Sequence, residues 1–283
     1  MVDVNGDSWL DIFVGRSGSE FHENELRNYL FINNQDNTFT EEAVQRGLDA
    51  ERRTKSACFF DYDNDNDLDL YVVNRPEQKD QLVFTKEELL ANKLNGPDQD
   101  LFYENVDGVF MDKTEAAGLV RNMYSHSVGI GDLNNDGFAD IYVCNDFQDP
   151  DLMFINNGDK TFREEIKERT QHTSNFAMGN DVSDFNNDGF LDVVVLDMVS
   201  EDHIRSKKNM GGMSRTNFWQ MVDVGYHYQY MFNSLQLNNG NGTFAEIAQI
   251  AGVSKTDWSW APLFADFDND GFKDLFITNG YHR

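Results

Sequence analysis

The chain is poor in cysteine: Cys58 and Cys144 are the only two in 283 residues, and each lies within or beside an apolar strand. With no C-x-x-C pair, neither a thiolate metal site nor a dithiol redox centre is encoded, and both thiols are expected to be small buried hydrophobes. Long apolar runs are missing too. The longest are strand-sized, such as LDVVVLDM from Leu191, well short of the ~20 residues that span a bilayer. No basic-then-apolar leader opens the sequence, and the chain as given is expected to be soluble. Basic residues are scarce, with 23 Lys and Arg against 50 Asp and Glu, for a formal charge of −27. A nucleic-acid partner is thereby disfavoured, because phosphate contacts need clustered Lys and Arg. Catalytic signatures are also lacking. His22, His126, His172, His203, His227 and His282 form no metal-spaced pair, no G-x-S-x-G elbow occurs, and no Gly-rich phosphate loop follows a strand.

What is present is enough for a core: 40% hydrophobic residues with 23 Phe, so disorder does not follow from the acidity. A compact state holding this much like charge repels itself, and bound cations would relieve it. Five divalent ions would bring the formal charge from −27 to −17.

One nine-residue pattern, D-x-[ND]-x-D-x-x-x-D, occurs five times. The copies are DVNGDSWLD from Asp3, DYDNDNDLD from Asp61, DLNNDGFAD from Asp132, DFNNDGFLD from Asp184 and DFDNDGFKD from Asp266. Each leads directly into an apolar run (IFV, LYVV, IYVC, VVVL, LFIT) that reads as a buried strand. Between copies lies a hairpin signal, YLFINNQDNTF, LFYENVDGVF, LMFINNGDKTF and LQLNNGNGTF, whose Asn, Asp and Gly suit the positive φ of tight turns. Turn chemistry also accounts for the Asn241-Gly-Thr glycosylation pattern.

The two signals keep step. From the closing Phe of each hairpin (Phe39, Phe110, Phe162, Phe244) to the next loop's first Asp is 22 residues every time, whereas from loop to hairpin Phe it is 36, 49, 30 and 60. Insertion is confined to one connection, as in stacked units with one free surface loop. Strand, Asp loop, strand, variable loop and hairpin make four strands, which is one propeller blade. The fold class is therefore all-β, a β-propeller of four-stranded blades. About four and a half blades are present over residues 1–283, because the first lacks its leading strand and the last its hairpin. A fragment of a longer protein is expected, with unpaired edges at both ends.

Oxygen donors without His or Cys suit a hard cation, Ca²⁺ ahead of Zn²⁺ or copper, and up to five ions are expected. Positions 1, 3, 5 and 9 offer side-chain oxygens: Asp3, Asn5, Asp7 and Asp11; Asp61, Asp63, Asp65 and Asp69; Asp132, Asn134, Asp136 and Asp140; Asp184, Asn186, Asp188 and Asp192; Asp266, Asp268, Asp270 and Asp274. Position 7 would supply a backbone carbonyl, so Trp9, Asp67, Phe138, Phe190 and Phe272 can differ. Gly137, Gly189 and Gly271 at position 6 permit the turn, while Ser8 and Asn66 stand there in the first two copies. An EF-hand loop needs an acid at position 12 and a following helix. Here position 12 is Val14, Val72, Val143, Val195 and Ile277, inside strands.

These residues resemble the FG-GAP or VCBS repeats of integrin-α-type β-propellers along essentially the whole chain. LQLNNGNGTFAEIAQIAGVS and DWSWAPLFADFDNDGFKDLFITNGY are similar to the propeller of bacterial cartilage-acidic-protein-like proteins, which often end in an ASPIC/UnbV domain not found here. The resemblance implies an extracellular or cell-envelope setting, Ca²⁺ between the first two strands of a blade, a seven-bladed ring when complete, and further blades or domains in the full-length protein. It implies no shared reaction.

Two rim insertions are expected. Residues 75–100 include TKEELLANKL, where Thr85 and Glu88 form a capping box for a short helix. Residues 197–232 hold His203, Arg205, Lys207, Lys208 and Arg215 beside FWQMVDVGYHYQYMF. This basic stretch is read first as a loop folded onto the acidic ring, and second as an adaptable binding surface. The leading reading is a binding scaffold recognising a protein or glycan on its rim; the alternative is a propeller enzyme, a polysaccharide lyase or hydrolase or a phosphoesterase, using rim residues.

Overall fold

A computed structural model describes residues 1–18, 26–76, 98–147, 149–209 and 213–280. The expected capping-box helix, Thr85 and Glu88 included, lies outside the described residues. The first sheet joins β1 (Ile12–Val14), β2 (Tyr29–Asn33) and β3 (Phe39–Glu41) in order, followed by the single-turn α1 (Ala43–Arg46). Three four-stranded meanders follow. They are β4 (Thr54–Phe60), β5 (Asp69–Asn74), β6 (Leu101–Val106) and β7 (Val109–Asp112); then β8 (Ser125–Gly131), β9 (Asp140–Asn145), β10 (Leu152–Asn156) and β11 (Phe162–Glu164), with α2 (Ile166–Arg169) after it. The third begins at β13 (Gly179–Ser183) and β14 (Asp192–Leu196), preceded by the short β12 (Thr173–Ser174). Its insertion carries β15 (Met198–Val199), α3 (His203–Asn209), α4 (Arg215–Asp223) and β16 (Gln229–Tyr230) before β17 (Ser234–Asn238) and β18 (Phe244–Glu246) complete it. Last come β19 (Asp257–Ala265) and β20 (Asp274–Asn279), with β15 on the outer side of β19. Every pairing inside the blade sheets is antiparallel, and among the described residues only the short β12–β16 pair outside them is parallel, so the fold is the all-β blade architecture read from the repeat. No helix among the described residues is long and apolar enough to cross a membrane.

The second strand of each blade is apolar at consecutive positions because both its faces are covered, and side chains alternate between the faces. Leu70 and Val72 of β5 pack with Leu30 and Ile32 of β2, while Tyr71 and Val73 pack with Ile141, Val143 and Phe154 of the next blade. Tyr142 and Cys144 then meet Val193 and Val195, and Val194 and Leu196 meet Phe264, Leu275 and Ile277. Blades therefore stack face to face through one core per interface. Cys144 is buried as expected, whereas Cys58 on β4 is only half-buried, because first strands are less covered than second strands. Where first strands run side by side, backbones approach closely. A Cβ on Gly179 would lie 2.2 Å from the Trp260 carbonyl oxygen of the next blade, so that position admits only glycine without displacing β19. Arginines staple further neighbours. Arg46, paired with Glu42 at 2.8 Å, donates to the Gly108 carbonyl, and Arg169, paired with Glu165 at 2.7 Å, donates to the Gly242 carbonyl.

A second repeated position emerges at the entry to each third strand: Asn28, Asp100, Asp151 and Asn233. Each side-chain Oδ1 accepts the backbone N–H of the residue at or just past the end of the second strand, from Arg16, Asn74, Asn145 and Asp197, at 2.8 to 3.0 Å. Burial pushes the Asp100 and Asp151 carboxyls up to about 7, against the opposing effect of these N–H donors. An acid whose folded pKa is raised stays protonated in the fold while the unfolded chain ionises. Its contribution is then greatest below the unfolded pKa and is lost as pH rises to about 7. Since the other two blades use amides at this position, the double variant Asp100→Asn/Asp151→Asn should gain on the parent as pH rises from 5 to about 7. By pH 8 the gain should be on the order of a few kcal/mol. Melting at both pH values in saturating Ca²⁺ decides this, and equal differences at both would refute it.

Candidate metal centres

The five Asp loops adopt one geometry. In each, the position-1 carboxylate accepts two backbone N–H groups, from positions 5 and 6: for Asp184 these are Asp188 at 3.1 Å and Gly189 at 2.9 Å, and Asp3, Asp61, Asp132 and Asp266 repeat the pattern. Position 5 in turn accepts from the N–H of position 7, at 2.8 to 3.0 Å in all five. Position 3 lies inside the same coil, where Asn5, Asn134, Asn186 and Asp268 accept from the position-5 N–H. The chain makes this tight coil by turning left-handed twice. Position 6 has φ of 72° at Ser8 and Asn66 and 88° to 92° at Gly189, Gly271 and Gly137, so the two non-glycine copies hold the same turn against its steric cost. Position 4 is left-handed as well, at Gly6, Asn64, Asn135, Asn187 and Asn269. Sequence reasoning missed that role, although Asn is the side chain most tolerant of it after glycine.

Position 9 is the anchor. Asp11, Asp69, Asp140 and Asp192 are buried, each accepting the position-2 N–H on Oδ2 and the N–H of the asparagine ending the third strand or within it on Oδ1. They tie each loop to the hairpin of its own blade, across the connection whose length varies, so the blade closes in the same way whatever the insertion between them. Asp274 is exposed and, among the described residues, accepts the Phe267 N–H alone. Burial raises Asp69 and Asp140 to about 7 and Asp192 to about 6.

The carboxylates converge. Oxygens of Asp61, Asp63 and Asp65 lie within 4.8 Å of one another, as do those of Asp266, Asp268 and Asp274. Loops with Asn5, Asn134 or Asn186 at position 3 carry one carboxylate fewer there, and the amide donates to the position-5 acid at 2.8 to 3.2 Å. The second loop is the most crowded: Asp63 Oδ1 and Asp67 Oδ1 are buried with no hydrogen-bond partner. Asp67 is raised to about 6, first by desolvation and then by Asp65, Asp63 and Asp61. Orphaned acceptors beside like charges are a donor set that fits a hard cation. One protein cation already reaches this edge, since Lys160 of the next blade's hairpin sits 2.8 Å from Asp63 Oδ2 and also pairs with Glu104. Neighbouring loops touch directly: Asn64 donates to the Gly137 carbonyl at 3.1 Å and Asn187 to the Gly271 carbonyl at 2.8 Å. Neither link was legible locally, because the partners stand 73 and 84 residues apart. The carbonyls of position 7, at Trp9, Asp67, Phe138, Phe190 and Phe272, belong to the same coil.

At the opposite ends of the strands lie the rim residues. Arg205 of α3 pairs with Asp257 at 2.9 Å, which fits the reading of a basic loop drawn to an acidic scaffold. His227 is buried against Thr170 Oγ1 at 3.2 Å and pushed down to about 4 by burial, so it packs as a neutral ring. A second basic group, absent from any local stretch, is assembled by the blades. Arg75 donates to Tyr124 at 3.0 Å, and Lys55 and Arg75 help burial hold His126 near 4 while His126 stands 3.6 Å from Asp146.

The family model described as FG-GAP-like repeat matches residues 3–72, 132–195 and 221–277, more than half of the chain, and these segments contain all five loops. No curated protein matches the chain.

Proposed function

As the chain belongs to the FG-GAP-like repeat family, we propose that it is an extracellular or cell-envelope recognition scaffold whose blade loops are braced by calcium and whose rim insertions meet a protein or glycan. The observation that carries the metal is the shared coil of the five loops, together with the buried, unpaired Asp63 oxygen. Positions 1, 3, 5 and 9 and the position-7 carbonyl would hold each ion, which supplies charge neutralisation and no chemistry of reaction. The family is generally a non-enzymatic scaffold, which favours binding over the lyase, hydrolase or phosphoesterase alternative. In addition, His227 is fixed by Thr170 and kept neutral, a poor start for a base near pH 7. The narrower likeness to ASPIC/UnbV-associated proteins belongs to this proposal.

Elemental analysis after dialysis against micromolar Ca²⁺ tests the metal. About five ions per chain are expected, by one ion per loop, and Asp188→Ala should lose one. A parent carrying no calcium would remove the proposal's foundation.

A further inference from the structure

The blade insertion between β14 and β17 encloses a cavity of about 170 Å³ against the entry to β13. Its mouth is exposed at Met213 and Ser214 and its floor is buried at Met221, His227 and Gln229. Among the described residues no Asp, Glu, Lys or Arg lines it, and burial keeps His227 neutral, so the lining matches an uncharged guest. Three methionines, Met213, Met221 and Met231, with Phe176 and Phe218, form adaptable apolar walls. The mouth is held in place: Ser214 caps α4 through the Asn217 N–H, and the Met231 N–H donates to the Met213 sulfur at 3.3 Å.

Two features select among uncharged guests. Gln229 is 4% exposed, yet its Nε2 has no hydrogen-bond partner. A buried amide donor without an acceptor carries an uncompensated desolvation cost, which a guest carbonyl would recover. Beside the cavity stands a ladder of rings, in which Phe218 stacks on Tyr228 at 6.1 Å and on Tyr230 at 5.6 Å, and Tyr230 on Phe232 at 6.0 Å. Its outer members remain open to solvent, with Trp219 49%, Tyr228 43% and Tyr230 37% exposed. Exposed rings of amphipathic residues offer flat faces to the C–H side of a pyranose. The cavity itself is close to one of about 150 Å³ that admits a benzene, room for a small apolar group with a carbonyl and not for a folded peptide.

Resting on the recognition reading above, we propose that this insertion binds an N-acetylated sugar residue. Its acetamido carbonyl accepts from Gln229 Nε2, its methyl lies among the methionines and Phe176, and its ring stacks on the exposed tyrosines. Isothermal titration of the calcium-loaded chain with the trimer of N-acetylglucosamine tests this, with the glucose trimer and the deacetylated trimer as controls. Binding should be at least about tenfold tighter for the acetylated trimer, and Gln229→Leu should erase that preference, as one buried hydrogen bond is worth about a factor of ten. Tyr228→Ala should weaken all sugars. Gln229→Leu removes an unpaired donor, so its melting temperature should equal or exceed the parent's, which separates lost binding from lost fold. Three results would overturn the proposal: no heat with any trimer, equal heats for the acetylated and glucose trimers, or undiminished selectivity in Gln229→Leu. The last would leave the amide to a buried water. Calcium-dependent melting of the same samples reads the scaffold independently, so a failed sugar titration with an intact calcium shift rejects only the ligand.

Discussion

Stripping calcium with EGTA is expected to lower the melting temperature by on the order of 20 °C, the largest effect foreseen for this protein. The reasoning is linkage. A site held at a hundred times its dissociation constant stabilises the folded state by about 2.7 kcal/mol, and several such sites act together if the unfolded chain does not bind. Each kcal/mol moves the midpoint by about 2–4 °C in a chain of this size class. Without metal, the loops also hold unpaired acceptors at Asp63 and Asp67 and contribute to a formal charge of −27, so self-repulsion adds to the loss. Calorimetry with EGTA, then with calcium restored in excess over chelator, gives the comparison. A reversible shift of tens of degrees supports braced loops. A shift within two or three degrees means that the hydrogen-bonded coil is self-sufficient.

Phe162→Ala should cost about 3–5 kcal/mol, whereas Phe39→Ala should cost less than about 1 kcal/mol. Both residues close a hairpin 22 positions before the next Asp loop, and the sequence treats them alike. Their surroundings differ. Phe162 is 6% exposed, with its ring against Tyr62 at 6.2 Å and Phe102 at 5.9 Å in the preceding blade, while Phe39 is 43% exposed. Phe110 and Phe244 are buried in the same manner as Phe162, each in the core toward the preceding blade. Truncation at a buried ring loses transfer energy and leaves a cavity; truncation at an exposed one loses little. Urea unfolding of the two variants at equal calcium measures the gap, and similar midpoints would refute the face-to-face stacking of blades.

The sequence by itself determined the repeat, the all-β blade with its Asp loop between first and second strands, the hairpin turns and the residue types of the candidate metal sites. These are local: an apolar run of strand length, a turn that needs Asn or Gly, and five oxygen donors within nine residues all act over one or two elements. Even the role of position 4, overlooked at Asn64 and Asn187, was present in the letters, as Asn or Gly stands there in every copy. The paired function of position 9 was half visible. Its identity is part of the motif, but its bond to the third strand, as from Asp140 to Asn156, joins residues of separate elements. Only the tertiary structure decided the rest. It placed Lys160 on Asp63 and Asn187 on Gly271, gathered Lys55, Arg75 and His126, and left Gln229 unpaired beside a ladder of exposed rings. It also separated Phe39 from Phe162. Burial and contact between blades depend on which sheet lies against which, and side chains tens of residues apart meet only once those faces have docked.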